Sequence, residues 1–438
     1  MKSEWPTATI ADCAAKEHYS TQIGPFGDKI RAETYQPVGI PVLRGTNLKM
    51  GRFYDGDFVF INEKKANELK IFECRSDDVI LVHKGTVGKV GILPKSLKYS
   101  RYIMGNSMMR VRCDKEKLLP HFLYYWLYSD TGQHYLNSRL SQVGVPQIQQ
   151  PLTTLRDAII PCPSIPVQEQ ITRILGSLDD KIELNRQMND TLEAMARAIF
   201  QSWFVDFDPV RAKAEGRQPS GMDAETAALF PSGFEEVDGR EVPKGWELGT
   251  IGKSTTVVGG STPSTTNAIF WENGTHLFAT PKDLAGLSTP ILMNTEQKIT
   301  DLGVDQISSK ILPVGTVLLS SRAPIGYIAF TTIPVSINQG FIAIICDKDL
   351  PNYYVLSWVK GNLPLIIDRA NGTTFLEISK SNFKPMEVLI PYIEVLKKFV
   401  QQVKPLYDQI ENNEQQSRTL AQIRDALLPK LMSGEIKI

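Results

Sequence analysis

The 438-residue chain is short of the residue types that usually announce chemistry. Its five cysteines, Cys13, Cys74, Cys113, Cys162 and Cys346, are scattered and form no C-x-x-C pair. That spacing argues against a disulfide framework or a structural zinc site, and buried reduced thiols are expected instead. The five histidines, His18, His83, His121, His134 and His276, stand apart from one another and from the cysteines, so no metal centre is expected. No run approaches the roughly 18 apolar residues of a membrane span, and the first residues lack the apolar stretch of a secretory signal. The expectation is a cytoplasmic chain with no membrane partner.

Catalytic constellations are equally scarce. Gly252-Lys253-Ser254 supplies the second half of a phosphate-binding loop, but Glu247 stands where its first glycine belongs. An (N/D)PP(Y/F) tetrapeptide for amino-methylation is missing; Asp208-Pro209-Val210 comes nearest. Pro281-Lys282-Asp283 and Glu169 lack the spaced carboxylate that metal-assisted phosphodiester attack requires. No catalytic residue is assigned, and recognition or scaffolding is the expected work of the chain.

What is present is a repeat. A shift of 228 places lays Ile171, Leu175, Leu178, Ile182, Asn185, Leu192 and Ile199 on Phe399, Val403, Leu406, Ile410, Asn413, Leu420 and Leu427. Steps of four and three are the spacing of a helical seam. Earlier blocks repeat at slightly different shifts: Leu43 to Leu48 lies on Ala279 to Leu284, and DDVILVHKGTVGKVGIL on GTVLLSSRAPIGYIAF, with Gly88 on Gly326. Short runs rich in Val, Ile, Phe and Thr, broken by Gly, Pro, Asn or Asp, read as strands and turns.

The expected fold class is therefore α+β: two α+β recognition domains separated by two long helices that form an antiparallel coiled coil, with pseudo-twofold internal symmetry. The segments are 1–163 (first domain), 164–204 (first spacer helix), 205–244 (a long surface connection), 245–391 (second domain) and 392–438 (second helix and tail). Ile171, Leu178, Asn185, Leu192 and Ile199 are expected to pair with Phe399, Leu406, Asn413, Leu420 and Leu427. The two asparagines, polar in an apolar seam, should face each other and set the register. Pro405 marks a candidate kink.

Formal charge is zero, which at first counts against a nucleic-acid partner. Counted by segment, residues 1–160 carry 22 basic and 16 acidic groups, and residues 161–244 carry 9 and 15. The first module thus has a basic excess that the total hides. Polar and basic side chains beside glycine turns are candidate DNA contacts: Arg44, Asn47, Lys49, Lys84, Thr86, Lys89, Arg101 and Asn106 in the first module. In the second they are Thr262, Ser264, Lys282, Ser321, Arg322, Gln339, Asn371 and Thr373. Arg and Lys suit guanine edges and phosphates, and Asn and Gln suit adenine edges.

The run EQITRILGSLDDKIELNRQMNDTLEAMARAIFQSWFVDFDPVRAKAEG and the later IRDALLPKLMSGEI resemble the repeated regions of the specificity subunit of type I restriction-modification systems. GPFGDKI with IPVLRGTNL, and GGSTPST with FATPKDL, resemble the starts of that family's target recognition domains. The resemblance implies a non-catalytic subunit whose two domains each read half of a bipartite target in double-stranded DNA. It implies helices that dock two modification (methyltransferase) subunits, with restriction subunits as further partners. No cofactor is expected in this chain; S-adenosylmethionine, ATP and magnesium belong to the partners. A pure coiled-coil scaffold, or the recognition part of a fused methyltransferase, are the alternatives from other classes.

Overall fold

The computed structural model describes residues 5–49, 52–53, 56–141, 144–372 and 376–438, with only the backbone of Asp28, Lys49 and Arg52. The chain forms two compact units, residues 1–182 with 417–438, and residues 183–416.

In the first unit a four-stranded antiparallel sheet runs in the order Thr21–Ile23, Met108–Val111, Val79–Val82, Val90–Ile92. A second four-stranded sheet has Tyr102–Met104 between Ile40–Leu43, its parallel neighbour, and Glu73–Cys74. Strand residues Val79, Ile80, Leu81 and Val82 are all buried, because one face meets the helix Pro120–Tyr128 and the other the second sheet. A continuous β-branched and aliphatic run is what a strand covered on both faces needs.

The second unit repeats the plan on its own chain. Thr256–Gly259, Phe341–Ile345, Val317–Ser320, Ile328–Thr331 and Ile291–Leu292 form a five-stranded sheet. His276–Ala279 pairs in parallel with Ser336–Ile337, as Ile40–Leu43 does with Tyr102–Met104. The helix Asn352–Gly361 packs where Pro120–Tyr128 packs in the first unit.

The two long helices are Ile165–Phe204 and Ile393–Ser433, each unbroken, the second passing through Pro405 without interruption. Within each unit their segments pack antiparallel. In the second, Phe200, Trp203 and Phe204 all lie against Phe399, at ring-centroid distances of 6.1, 6.2 and 5.1 Å, while Asn189 reaches Asn413 and Glu414. In the first, Asp179 bonds Arg424.

The strict seven-residue seam is buried only in part: Ile171, Asn185, Phe399 and Asn413 are buried. Leu178, Leu192, Ile199, Leu406, Leu420 and Leu427 are only half-buried, whereas Asp179, Asn189, Ala196, Phe200, Trp203, Tyr407, Arg424 and Leu428 are buried. A straight 3.6-residue helix carries its buried face forward by about 20° per heptad, which widens the stripe beyond two positions in seven. The asparagines do meet, in a different pattern from the simple pair expected. Asn185 Nδ2 donates to Asn413 O at 3.3 Å and to Gln416 Oε1 at 2.9 Å, and Asn413 Nδ2 donates to Asn189 Oδ1 at 2.8 Å.

The segment 205–244 corrects the expectation of a surface connection. It forms helices Asp208–Ala214 and Ala224–Ala228 and a hairpin, Phe234–Val237 with Arg240–Pro243. Val210, Phe230 and Val242 are buried in the core of the second unit together with Trp203, Trp246 and Phe399. Cys13, Cys74 and Cys113 are buried thiols as expected, whereas Cys162 and Cys346 are half-buried, and Cys13 Sγ lies 3.9 Å from Cys162 Sγ. Among the described residues no helix is long and apolar enough to cross a membrane.

Candidate nucleic-acid interface

In the first unit the segments after Ile23, Leu43, Val82 and Met104 converge with the one that carries Gln147 and Ile148. His83 N donates to Ser107 O (2.9 Å), Gly105 N to Leu43 O (2.9 Å), and Ile148 N to His83 O (2.9 Å). Lys84 and Gln147 face each other as an antiparallel β-bridge. A Cβ on Gly24 would stand 2.0 Å from Gly105 O, so these loops touch backbone to backbone and only glycine fits. The result is an open cleft of about 550 Å³ lined by Phe26, Arg44, His83, Lys84, Asn106 and Gln147 among others, with Phe26 62 % exposed beside it.

The second unit repeats this ladder bond for bond. Ser321 N donates to Gly340 O (2.8 Å), Asn338 N to Ala279 O (3.1 Å), and Ile378 N to Ser321 O (3.0 Å). Arg322 faces Glu377 across the matching bridge. The tight turn is matched as well: Gly88 N reaches Val82 O, and Gly326 N reaches Ser320 O, each at 3.3 Å. Equivalent positions are thereby fixed. Arg44 corresponds to Thr280, His83 to Ser321, Lys84 to Arg322, Asn106 to Gln339, and Gln147 to Glu377.

Of the residues expected to touch DNA, Arg44, Lys84 and Asn106 share the first cleft, with Thr86 exposed on the same loop and Lys89 exposed at its end. In the second unit Arg322 and Gln339 hold the matching places. Thr262 Oγ1 donates to Gln339 Oε1, and the backbone of Asn371 is paired with that of Glu377. Ser321 belongs to the ladder but is buried. Ser264 is exposed and hydrogen-bonded to Thr266, and Lys282 is exposed in an ion pair with Glu296.

Two expectations are withdrawn on geometry. Asn47 is fully buried and spends its side chain on Arg44 N (2.9 Å) and Gly56 O (2.7 Å). Arg101 is held by Glu63 at 2.7 Å and Glu73 at 3.1 Å. The side chain of Lys49, and Thr373 as a whole, lie outside the described residues. Sequence reasoning missed His83, Gln147 and Glu377. The available signal was the pair Gln147-Ile148 and Glu377-Ile378, a polar residue before an isoleucine about equally far past each glycine turn.

His83 is 2 % exposed, with Nε2 3.3 Å from Asn106 O. Burial lowers its pKa below the ordinary imidazole value, and the charge of Lys84 acts in the same direction against the hydrogen bond to Asn106. Unfolded, the ring takes up its proton below about pH 6.5, while folded it resists until a lower pH. Stability present above that value is therefore lost as pH falls. His83→Gln is expected to flatten the acid side of the stability profile, read from urea midpoints between about pH 5 and 7. An unchanged slope would assign that loss to other groups.

Residues 23–194 and 243–422 each match the model of the type I restriction modification DNA specificity domain, and together they span most of the chain. The chain belongs to this family. Each match takes in one sheet region and much of the long helix that follows, so a specificity repeat is globule plus helix. Among curated relatives, the HindI specificity subunit of Haemophilus influenzae is 28% identical over 436 residues, covering 86% of this chain and 94% of the relative. The MjaIX specificity subunit of Methanocaldococcus jannaschii is 26% identical over 394 residues, covering 88% and 84%. A crystal structure of a type I restriction-modification S subunit from M. genitalium shares the fold, with a TM-score of 0.55 at 15% identity over 98% of this chain and 96% of that one. The chain is thus a type I specificity subunit with two recognition domains.

Proposed function

We propose that each recognition domain reads one half of a bipartite sequence in double-stranded DNA, and that the long helices set the spacing and dock two modification subunits. The observation that carries this reading is the repeated backbone ladder: one scaffold presents Arg44, Lys84, Asn106 and Gln147 in the first unit and Thr280, Arg322, Gln339 and Glu377 in the second. Phosphate contacts position a protein on DNA, and different side chains on base edges specify different sequences. In this reading the domains are 1–163 and 245–391, the spacer helices fall within 164–204 and 392–438, and segment 205–244 belongs with the second domain, on whose core it packs.

Docking on the helices is supported by an apolar stripe on the central one. Leu184, Met188 and Met195 are 49, 36 and 48 % exposed, spaced at helical intervals and about 100° around the helix from the buried Asn185, Asn189 and Ala196. The chain itself carries out no reaction in this reading. Methyl transfer with S-adenosylmethionine, and restriction with ATP and magnesium, are the work of modification and restriction subunits.

The test is co-expression with the modification subunits encoded beside it, followed by methylome sequencing with the gene intact and deleted. The expected result is a gapped motif that disappears on deletion. The purified complex should bind that motif with an affinity that falls linearly on a log scale with salt. Binding that ignores sequence, with modification subunits present, would overturn the reading in favour of a scaffold.

A further inference from the structure

We propose that the facing residues of the bridge, Lys84 with Gln147 in the first unit and Arg322 with Glu377 in the second, are the principal base-reading pair of each domain. This rests on the reading of the chain as a DNA specificity subunit. Residues paired directly across an antiparallel bridge project to the same side, with Cβ atoms about 5 Å apart. Successive base pairs are about 3.4 Å apart along each strand, so such a pair spans one base-pair step. The bridge holds the two side chains as a unit while leaving their ends in solvent. Lys84 and Glu377 are exposed, Gln147 is half-exposed, and the side chain of Arg322 is 40 % exposed.

A structural role accounts poorly for these side chains. Arg322 Nη1 and Glu377 Oε2 are 3.8 Å apart, a loose ion pair in solvent that contributes little to stability. No ion pair is possible between lysine and glutamine at the equivalent positions. Two backbone bonds beside each bridge are shared by the units: Ile148 N to His83 O matches Ile378 N to Ser321 O, and Ser141 N to Gln147 O matches Asn371 N to Glu377 O. The fold therefore needs the bridge and is indifferent to what it displays.

The side chains assign chemistry to each half-site. The Arg322 fork matches guanine O6 and N7, and the Glu377 carboxylate accepts from the cytosine N4 amine. Lys84 suits the same guanine acceptors as a point charge, and Gln147 matches adenine N6 and N7. The second unit thus reads a step containing guanine and cytosine, and the first a step containing guanine and adenine.

Gln147→Glu and Glu377→Gln exchange the acceptor between the units while keeping side-chain length. Each variant is expressed as the full chain with its modification subunits, and the methylome is compared with wild type. Gln147→Glu is expected to move one position of one half-site from adenine to cytosine, and Glu377→Gln one position of the other from cytosine to adenine. Each preference should change by on the order of tenfold or more, with the opposite half-site unchanged. Where methylation is lost, the same complex selects bound duplexes from a randomised pool, and the same single-position change is expected there. Unaltered motifs in both assays, or a shift in both half-sites at once, would overturn the assignment. A wild-type chain that confers no motif at all would instead overturn the proposed function.

Discussion

Asp179→Ala is expected to destabilise its unit by about 3 kcal/mol, near the lower end of what breaking a buried ion pair costs. Asp179 Oδ1 accepts from Arg424 Nη1 at 2.8 Å and Oδ2 accepts from the Tyr125 hydroxyl at 2.8 Å. Arg424 Nη2 donates to the Tyr128 hydroxyl at 3.1 Å, and its guanidinium lies 5.1 Å from the Tyr128 ring centroid. The carboxylate and guanidinium side chains are 6 % and 10 % exposed. Burial works against the arginine's charge, and its hydrogen bonds to Asp179 and Asp425, together with the fields of Tyr128 and Asp179, outweigh it. Truncating the acid strands a cation, partly relieved by Asp425, which stays 2.8 Å away. The other unit shows the alternative filling: at the positions 228 residues away stand Tyr407 and Ala196, both buried and uncharged. Asp179→Leu with Arg424→Met should therefore recover most of the loss. Because two units rarely melt as one transition, the readout is hydrogen exchange of Pro120–Tyr128 and Val79–Val82. A loss below about 1 kcal/mol for Asp179→Ala would place the pair among surface ion pairs.

That asymmetry explains how the seam was legible and where it misled. Isoleucines and leucines at seven-residue steps announced two long helices, and the asparagines among them announced contact. Burial is set by the packed surface, not by hydropathy alone. Asp179 and Arg424 are buried because each supplies what the other lacks, a relation between residues 245 positions apart that no local pattern contains. Leu178 and Leu427, read as seam, are left half-buried beside Asp179 and Leu428. Pro405 marked a candidate kink, and the helix of 41 residues runs on through it, tolerating the loss of one donor where its flanking turns are packed.

At the site, the glycine turns were legible because Gly24 and Gly260 meet carbonyls that no Cβ could approach. The side chains beside them were harder to sort. Arg44, Asn47, Arg101 and Lys84 look alike in sequence; one caps a turn from the interior and another neutralises two glutamates. Gln147 and Glu377 were invisible for the opposite reason. They lie far along the chain from the loops they face, and only the bridges to Lys84 and Arg322 bring them there.

Trp246→Ala is expected to cost the second unit about 3–5 kcal/mol, as large-to-small changes of buried aromatic residues do. The indole is 2 % exposed, with ring centroids of Phe204, Phe207 and Phe230 at 5.9, 6.1 and 6.4 Å. Phe204 comes from the end of the central helix and Phe207 and Phe230 from the segment after it, so one ring ties helix, connection and globule together. Trp246→Phe discriminates packing from hydrogen bonding. The indole Nε1 is buried without a partner among the described residues, so phenylalanine removes an unsatisfied donor along with part of the ring. Its cost should stay below about 2 kcal/mol, and well under that of alanine. Exchange protection of Val317–Ser320 and Phe341–Ile345 reports both variants. Equal losses for phenylalanine and alanine would mean that the indole nitrogen, and not the volume of the ring, holds the connection in place.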